Sequence, residues 1–154
     1  MAIWGLRREP WDTPRSSKLA FWMRAGLLAL AVPQGIVGAW AMFAPGSFHV
    51  DFPLPGWRWI STLGHYNAHL STDYGAASLG LVAVLFTAAL SLERRLVRVA
   101  LGAWLVWALP HMAYHLSTLE RFGPIDKIAN VATLTVNAVL PIMLLGMTRG
   151  GRWQ

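Results

Sequence analysis

The chain has 154 residues, of which 55% are hydrophobic and 13% charged, a charge share well below the roughly 25% of a soluble domain. It contains no cysteine, which excludes disulfides, thiolate zinc sites, iron–sulfur clusters and cysteine nucleophiles. The net charge of +6 would suit a nucleic-acid binder, but the positions of the basic residues make it a topology signal and a contact for anionic lipid, and no nucleic-acid partner is expected.

In chain order, residues 1–24 form a polar segment with Pro10 and Pro14 that carries Arg7, Arg8, Arg15, Lys18 and Arg24. No small-residue cleavage site follows at the usual distance, so the first apolar run reads as an uncleaved anchor rather than a signal peptide. Trp4 and Trp11 suit the membrane surface, where indole rings concentrate.

Four apolar stretches follow, at residues 25–44, 74–92, 97–118 and 128–147. Each has about the 20 residues that a helix needs to cross roughly 30 Å of hydrocarbon. Arg98, at the edge of the third, is their single Lys, Arg, Asp or Glu. They lack period-2 alternation, so helices rather than barrel strands satisfy the backbone in lipid. Pro33, Pro110 and Pro141 fall inside the first, third and fourth, where each deletes a helix hydrogen bond. Gln34 and Asn137, near the middle of the first and fourth, are expected to bond to other helices, and a buried polar site between them is one reading. Gly75, Ala76, Ala77, Ser78 and Gly80 give the second a small-residue surface for close helix packing.

The connections differ in kind. Residues 93–96 make a tight link, so the second and third spans form an antiparallel hairpin. Residues 45–73 are long, and they hold Phe48, Phe52, Leu54, Trp57, Trp59 and Ile60 among prolines and glycines. This composition predicts a folded aromatic cap. The first connection and the loop before the fourth span carry only Arg58, Arg121 and Lys127, whereas the N-terminal segment, the tight link with the adjoining Arg98, and the tail (148–154) hold the other ten basic residues. The positive-inside rule then places both termini in the cytoplasm of a plasma-membrane protein and the cap outside.

All five histidines fall on the cap side: His49, His65, His69, His111 and His115. His65/His69 and His111/His115 have i,i+4 spacing, which stacks two side chains on one helix face, and Asp73 extends the first pair by another turn. The hairpin should bring His69 and Asp73 opposite His111 and His115 in one connected cluster. Neutral imidazole with carboxylate suits a transition metal, and one histidine from each helix would suit haem. His69, Asp73, His111 and His115 are therefore the candidate ligands, with His65 the weaker one. The alternative is a hydrogen-bond network holding the cap to the bundle. Tyr66, Asn67, Tyr74 and Tyr114 flank the set and could fix histidine tautomers, or the tyrosines could as easily be interfacial aromatics. Trp104, Trp107 or Ala108, His111 and His115 share one face of the third span and read as packing rather than a cofactor wall. No phosphate-binding glycine loop, GxSxG elbow, HExxH or Ser/His/Asp arrangement stands out.

The segments Tyr66-Asn67-Ala68-His69-Leu70-Ser71-Thr72-Asp73 and Pro110-His111-Met112-Ala113-Tyr114-His115-Leu116, with Asp51-Phe52-Pro53 and Leu140-Pro141, together resemble uncharacterised small four-span integral membrane proteins of actinobacteria. The resemblance covers most of residues 43–145. That pattern has an acidic residue where this chain has Ala68 and a proline where it has His65. It implies the fold and topology and no activity.

The expectation is an all-α four-helix transmembrane bundle with an aromatic extracytoplasmic loop, in contact with the lipid bilayer. Its leading functional reading is an accessory or scaffold subunit packed against other membrane subunits or its own copies, without catalysis of its own. A metal- or haem-binding, redox-capable protein is the second reading. A binder of lipid or a small molecule under the cap is the third.

Overall fold

The computed structural model describes residues 14–149, with side chains from residue 17 onward. The expected positions of Trp4 and Trp11, and the tail beyond residue 149, lie outside the described residues. Six α-helices run in order: α1 (Pro14–Phe43), α2 (Pro45–Asp51), α3 (Trp59–Leu63), α4 (Ala68–Ser91), α5 (Arg94–Ser117) and α6 (Pro124–Met147), with a 3-10 turn at Leu119–Arg121 before α6. Four are long and apolar enough to cross a membrane: Ser17–Phe43 within α1, then α4, α5 and α6. Ile36, Leu90, Val106 and Ile142, one from each, are large apolar side chains left exposed by the bundle. That surface is costly in water and natural in a bilayer, and the chain is a multi-pass membrane protein.

The helices outrun the apolar stretches because their local end signals lie further out. Asn67 caps α4, its side-chain carbonyl accepting from the Leu70 amide at 3.0 Å, so α4 starts six residues before residue 74. Asn67 thus serves the helix end rather than a histidine, contrary to its expected role. Leu92, with φ 51°, ends α4 in the left-handed region, and Glu93 leads straight into α5. Pro124 occupies the first turn of α6, where its missing N–H costs nothing.

Around the bundle the order is α1, α4, α5, α6 and back to α1. The hairpin makes α4 and α5 neighbours as expected, yet the closest interface is α1 with α4. Glycine is the reason. A Cβ on Gly75 would lie 2.5 Å from the Met42 nitrogen and 2.6 Å from the Gly38 carbonyl oxygen, so only hydrogen lets these backbones meet. Ser78 of the expected small-residue surface shares this interface, buried against Gly38, but the others do not: Ala76, Ala77 and Gly80 are exposed, and a Cβ on Gly80 would meet nothing within 4 Å.

The two ends of the bundle are packed differently. Where α1 begins and α4 ends, Met23, Leu27, Leu85, Ala88, Val97, Leu101 and Leu144 make a dry apolar core. At the margin of this arginine end, Arg24 Nε donates to the Ala89 carbonyl at 2.9 Å. Arg98 Nε donates to Thr148 Oγ1 at 3.0 Å, and Arg98 and Arg94 both donate to the Thr148 carbonyl. These guanidinium groups satisfy carbonyls that helix C-termini leave unpaired and oppose the negative ends of their dipoles. Toward the opposite, histidine end, the buried set includes Gln34, Ser78, His115 and Asn130. The polar half of the interior lies there.

Pro141 has no N–H to give the Asn137 carbonyl four residues earlier. Trp104 on α5 fills the gap, its indole N–H donating to that oxygen at 2.9 Å. The Asn137 side chain bonds to the Thr133 carbonyl of its own helix at 2.9 Å. The expected contact of Asn137 with another helix is therefore made by its backbone, and no site forms between it and Gln34.

Candidate ligand cleft beneath the aromatic cap

The connection between α1 and α4 folds back over the histidine end as an aromatic cap. Trp40, Phe48 and Phe52 pack at ring separations of 5.2 to 6.3 Å, and Phe52 leads on to Trp59 and then Phe122. Trp59, buried, donates its indole N–H to Asp126 Oδ1 at 3.1 Å and so ties the cap to the first turn of α6. A carboxylate there also faces the positive end of the α6 dipole. Arg121 adds a bond to the Leu63 carbonyl at 3.3 Å. Phe48 stacks on Tyr74 of α4, 6.0 Å between centroids and 18° between planes, so the cap reaches down onto the bundle.

Below that contact, α1 and α4 share a polar group inside the membrane span. Gln34 Nε2 donates to Ser78 Oγ at 3.0 Å and to the Tyr74 hydroxyl at 3.3 Å. Gln34 and Ser78 are both buried. The expected interhelical bond of Gln34 is present, and its partner is α4. On the other side of Tyr74 and Ser78 a cleft of about 210 Å³ opens between α4 and α5, lined by Tyr74, Ala77, Ser78, Leu81 and Trp107. No lining residue is charged. Ala77, at its rim, is exposed on the bundle surface, so the cleft opens sideways into the apolar surroundings of the spans.

Trp107 belongs to a ladder of rings along α5. Trp104, Trp107, His111 and His115 follow one another with centroid separations of 5.1, 5.0 and 4.5 Å, and Trp107 and His111 lie nearly parallel. His115 is buried, and Asn130 of α6 adjoins it. Neither His115 Nδ1 nor Asn130 Nδ2 completes a hydrogen bond. Tyr114 meets the edge of His115 at 5.8 Å. This face of α5 is packing and polar interior at once.

The other histidines stand apart from this ladder. His69 Nε2 and Asp73 Oδ2 pair at 3.3 Å with side chains 87% and 62% exposed. His65 is exposed and precedes the start of α4 at Ala68, so it does not stack with His69 on one helix face as expected, and His49 is buried in the cap against Tyr66. The structure brings His69 to Asp73 and His111 to His115. Among the described residues, however, no group of three or more His, Asp or Glu could hold a metal ion. Helical phase explains the split. Asp73 precedes the inward-facing Gly75 by two residues, about 200° around the axis at 3.6 residues per turn, so the pair that shares a face shares the outward one.

Comparison with known proteins gives no match: neither a family model, nor a curated protein, nor a solved structure is similar to this chain. The chemistry has to be taken from the residues alone. Sequence reasoning missed three of them. Gly38 is a small residue in an apolar run with no pattern of its own. Asp126 was signalled only by its place after Pro124, which marks a helix start. Ala77 was expected in a helix interface, whereas it forms the rim of the cleft.

Proposed function

We propose that this chain is a four-span protein of the plasma membrane, with both termini cytoplasmic, that holds a lipid-soluble small molecule in the cleft between α4 and α5. The carrying observation is the polar wall of Gln34, Tyr74 and Ser78 beside an uncharged cleft within the spans. Ligand sites are concave and mostly apolar, with a few polar groups that fix orientation. The orientation rests on the ten basic residues of one side against three of the other. The test is organic extraction of the gently purified protein followed by mass spectrometry, for the natural chain and for Ala77→Trp, which fills the cleft from its exposed rim. A molecule retained by the first and lost from the second supports the reading. Equal retention, or none by either, overturns it.

A second reading, an accessory subunit that packs against another membrane protein or a second copy, is favoured by one observation. Ala76, Gly80 and Ala83 line up on an exposed face of α4, the small-residue pattern through which membrane helices approach closely. Loss of a co-purifying subunit or of self-association in Gly80→Leu, with the bundle intact, would support it. Unchanged association would remove it.

A further inference from the structure

The cleft has more chemical character than its size alone conveys. Gln34 donates to both hydroxyls that line it, so Ser78 and Tyr74 each act as acceptor toward α1. A helical hydroxyl in an apolar span usually gives that proton to the carbonyl one turn earlier. Thr87, Thr133 and Thr135 do so here, at 2.8, 2.9 and 2.7 Å. The two hydroxyls also bond to one another, Tyr74 accepting from Ser78, so the phenolic O–H of Tyr74 is the proton left uncommitted. One donor, held in place by Gln34 and Ser78, therefore borders one small cleft.

Resting on the proposed ligand-binding reading, we infer that the occupant is a lipid-soluble quinone whose ring lies in the cleft with a carbonyl oxygen accepting from the Tyr74 hydroxyl, which Gln34 and Ser78 hold in place. Four observations select this class. The free group is a donor, so the ligand must accept. No charged side chain lines the cleft, so an ionic headgroup would lie uncompensated in low dielectric. The volume of about 210 Å³ holds one substituted ring and not a two-chain lipid, and Trp107 gives that ring an aromatic wall. Depth supplies the fourth. Ser78 lies ten residues into α4, about 15 Å along its axis at 1.5 Å per residue. That is near the middle of the span, where a quinone with an apolar tail dissolves and the ester groups of a glycerolipid do not sit. The tail would leave past Ala77 and Leu81 toward the exposed Val84.

The test uses the full chain reconstituted in vesicles free of quinone. A short-tailed quinone is titrated in one series and a diacylglycerol in another, following tryptophan quenching and thermal stability. The expected result is saturable quinone binding that is abolished in Ala77→Trp, weakened roughly three- to tenfold in Tyr74→Phe, the range for one neutral hydrogen bond, and weakened less in Ser78→Ala, which removes only the support of the Tyr74 hydroxyl. Trp107→Phe should remove most of the quenching. If diacylglycerol binds saturably, is lost in Ala77→Trp, and quinone does not bind, the quinone assignment is overturned while the ligand cleft stands. If the natural chain and Ala77→Trp take up quinone alike and no saturable ligand is found, both fail. Unchanged quinone affinity in Ser78→Ala and Tyr74→Phe together would overturn the role given to the hydroxyls.

Discussion

Gly38 and Gly75 face each other across the α1–α4 interface so closely that neither position admits a side chain. A Cβ on Gly38 would lie 2.9 Å from Ser78 Cβ and 3.2 Å from the Gly75 carbonyl oxygen. The same approach sets Gln34, one turn away on α1, against Ser78 and Tyr74. The polar wall of the cleft therefore depends on two residues that carry no chemistry themselves.

Gly75→Ala should accordingly destabilise the protein by about 1–3 kcal/mol, the usual cost of overpacking, because the atoms it meets are backbone and cannot rotate away. Gly80→Ala should be neutral or slightly stabilising, since nothing lies within 4 Å of its Cβ and alanine is the better helix former. Unfolding of both variants in mixed micelles checks the contrast, and equal effects would mean that α1 and α4 do not meet at these glycines.

The bond from Trp59 to Asp126 predicts a local effect. Trp59→Phe keeps most of the ring packing and removes the donor, leaving a part-buried carboxylate without it. Hydrogen exchange should rise in residues 45–63 and at the start of α6, while α4 and α5 keep their protection. The expected loss is about 1–3 kcal/mol, as for bonds to charged groups. Uniform loss of protection would mean that cap and bundle unfold as one unit.

Trp104 and Pro141 should be coupled. Trp104→Phe deprives the Asn137 carbonyl of its donor, at a cost of about 1–3 kcal/mol for an unsatisfied buried group. Pro141→Ala restores the helix N–H to that oxygen. In the Trp104→Phe background it should therefore recover stability that it does not supply alone, and a double-mutant cycle measures the coupling. Additive effects would show that the indole bond is incidental.

Reporter fusions should place residues 53–58 outside the cell and residue 149 inside. The opposite placement of either would overturn the proposed orientation.

The sequence made some of this legible and left the rest hidden for physical reasons. Four apolar runs of spanning length announce four helices, and the short link after Leu92 announces the α4–α5 hairpin. The aromatic, proline-rich connection announces a cap. Helical periodicity correctly paired His69 with Asp73 and His111 with His115, but periodicity fixes only which residues share a face. It does not say which way the face turns, and α4 turns His69 outward because Gly75 claims the inward side. The partner of Gln34 was hidden because α1 packs on α4 across a 24-residue connection, so no local spacing links residues 34 and 78.

The uneven interior also dictates how a guest could get in. At the arginine end, α4 and α5 are joined by a two-residue turn and share a dry core with α1. Arg94 and Arg98 bind α5 to the end of α6. A tilt of one helix about that fixed point moves its far end most, as the jaws of a peg part most at their tips. Tyr74 lies toward that far end, against the cap, while Trp107 packs on the edge of the core. Such a tilt would thus widen the fissure between them most on its cap side, and admission from the bilayer would require bending rather than unfolding.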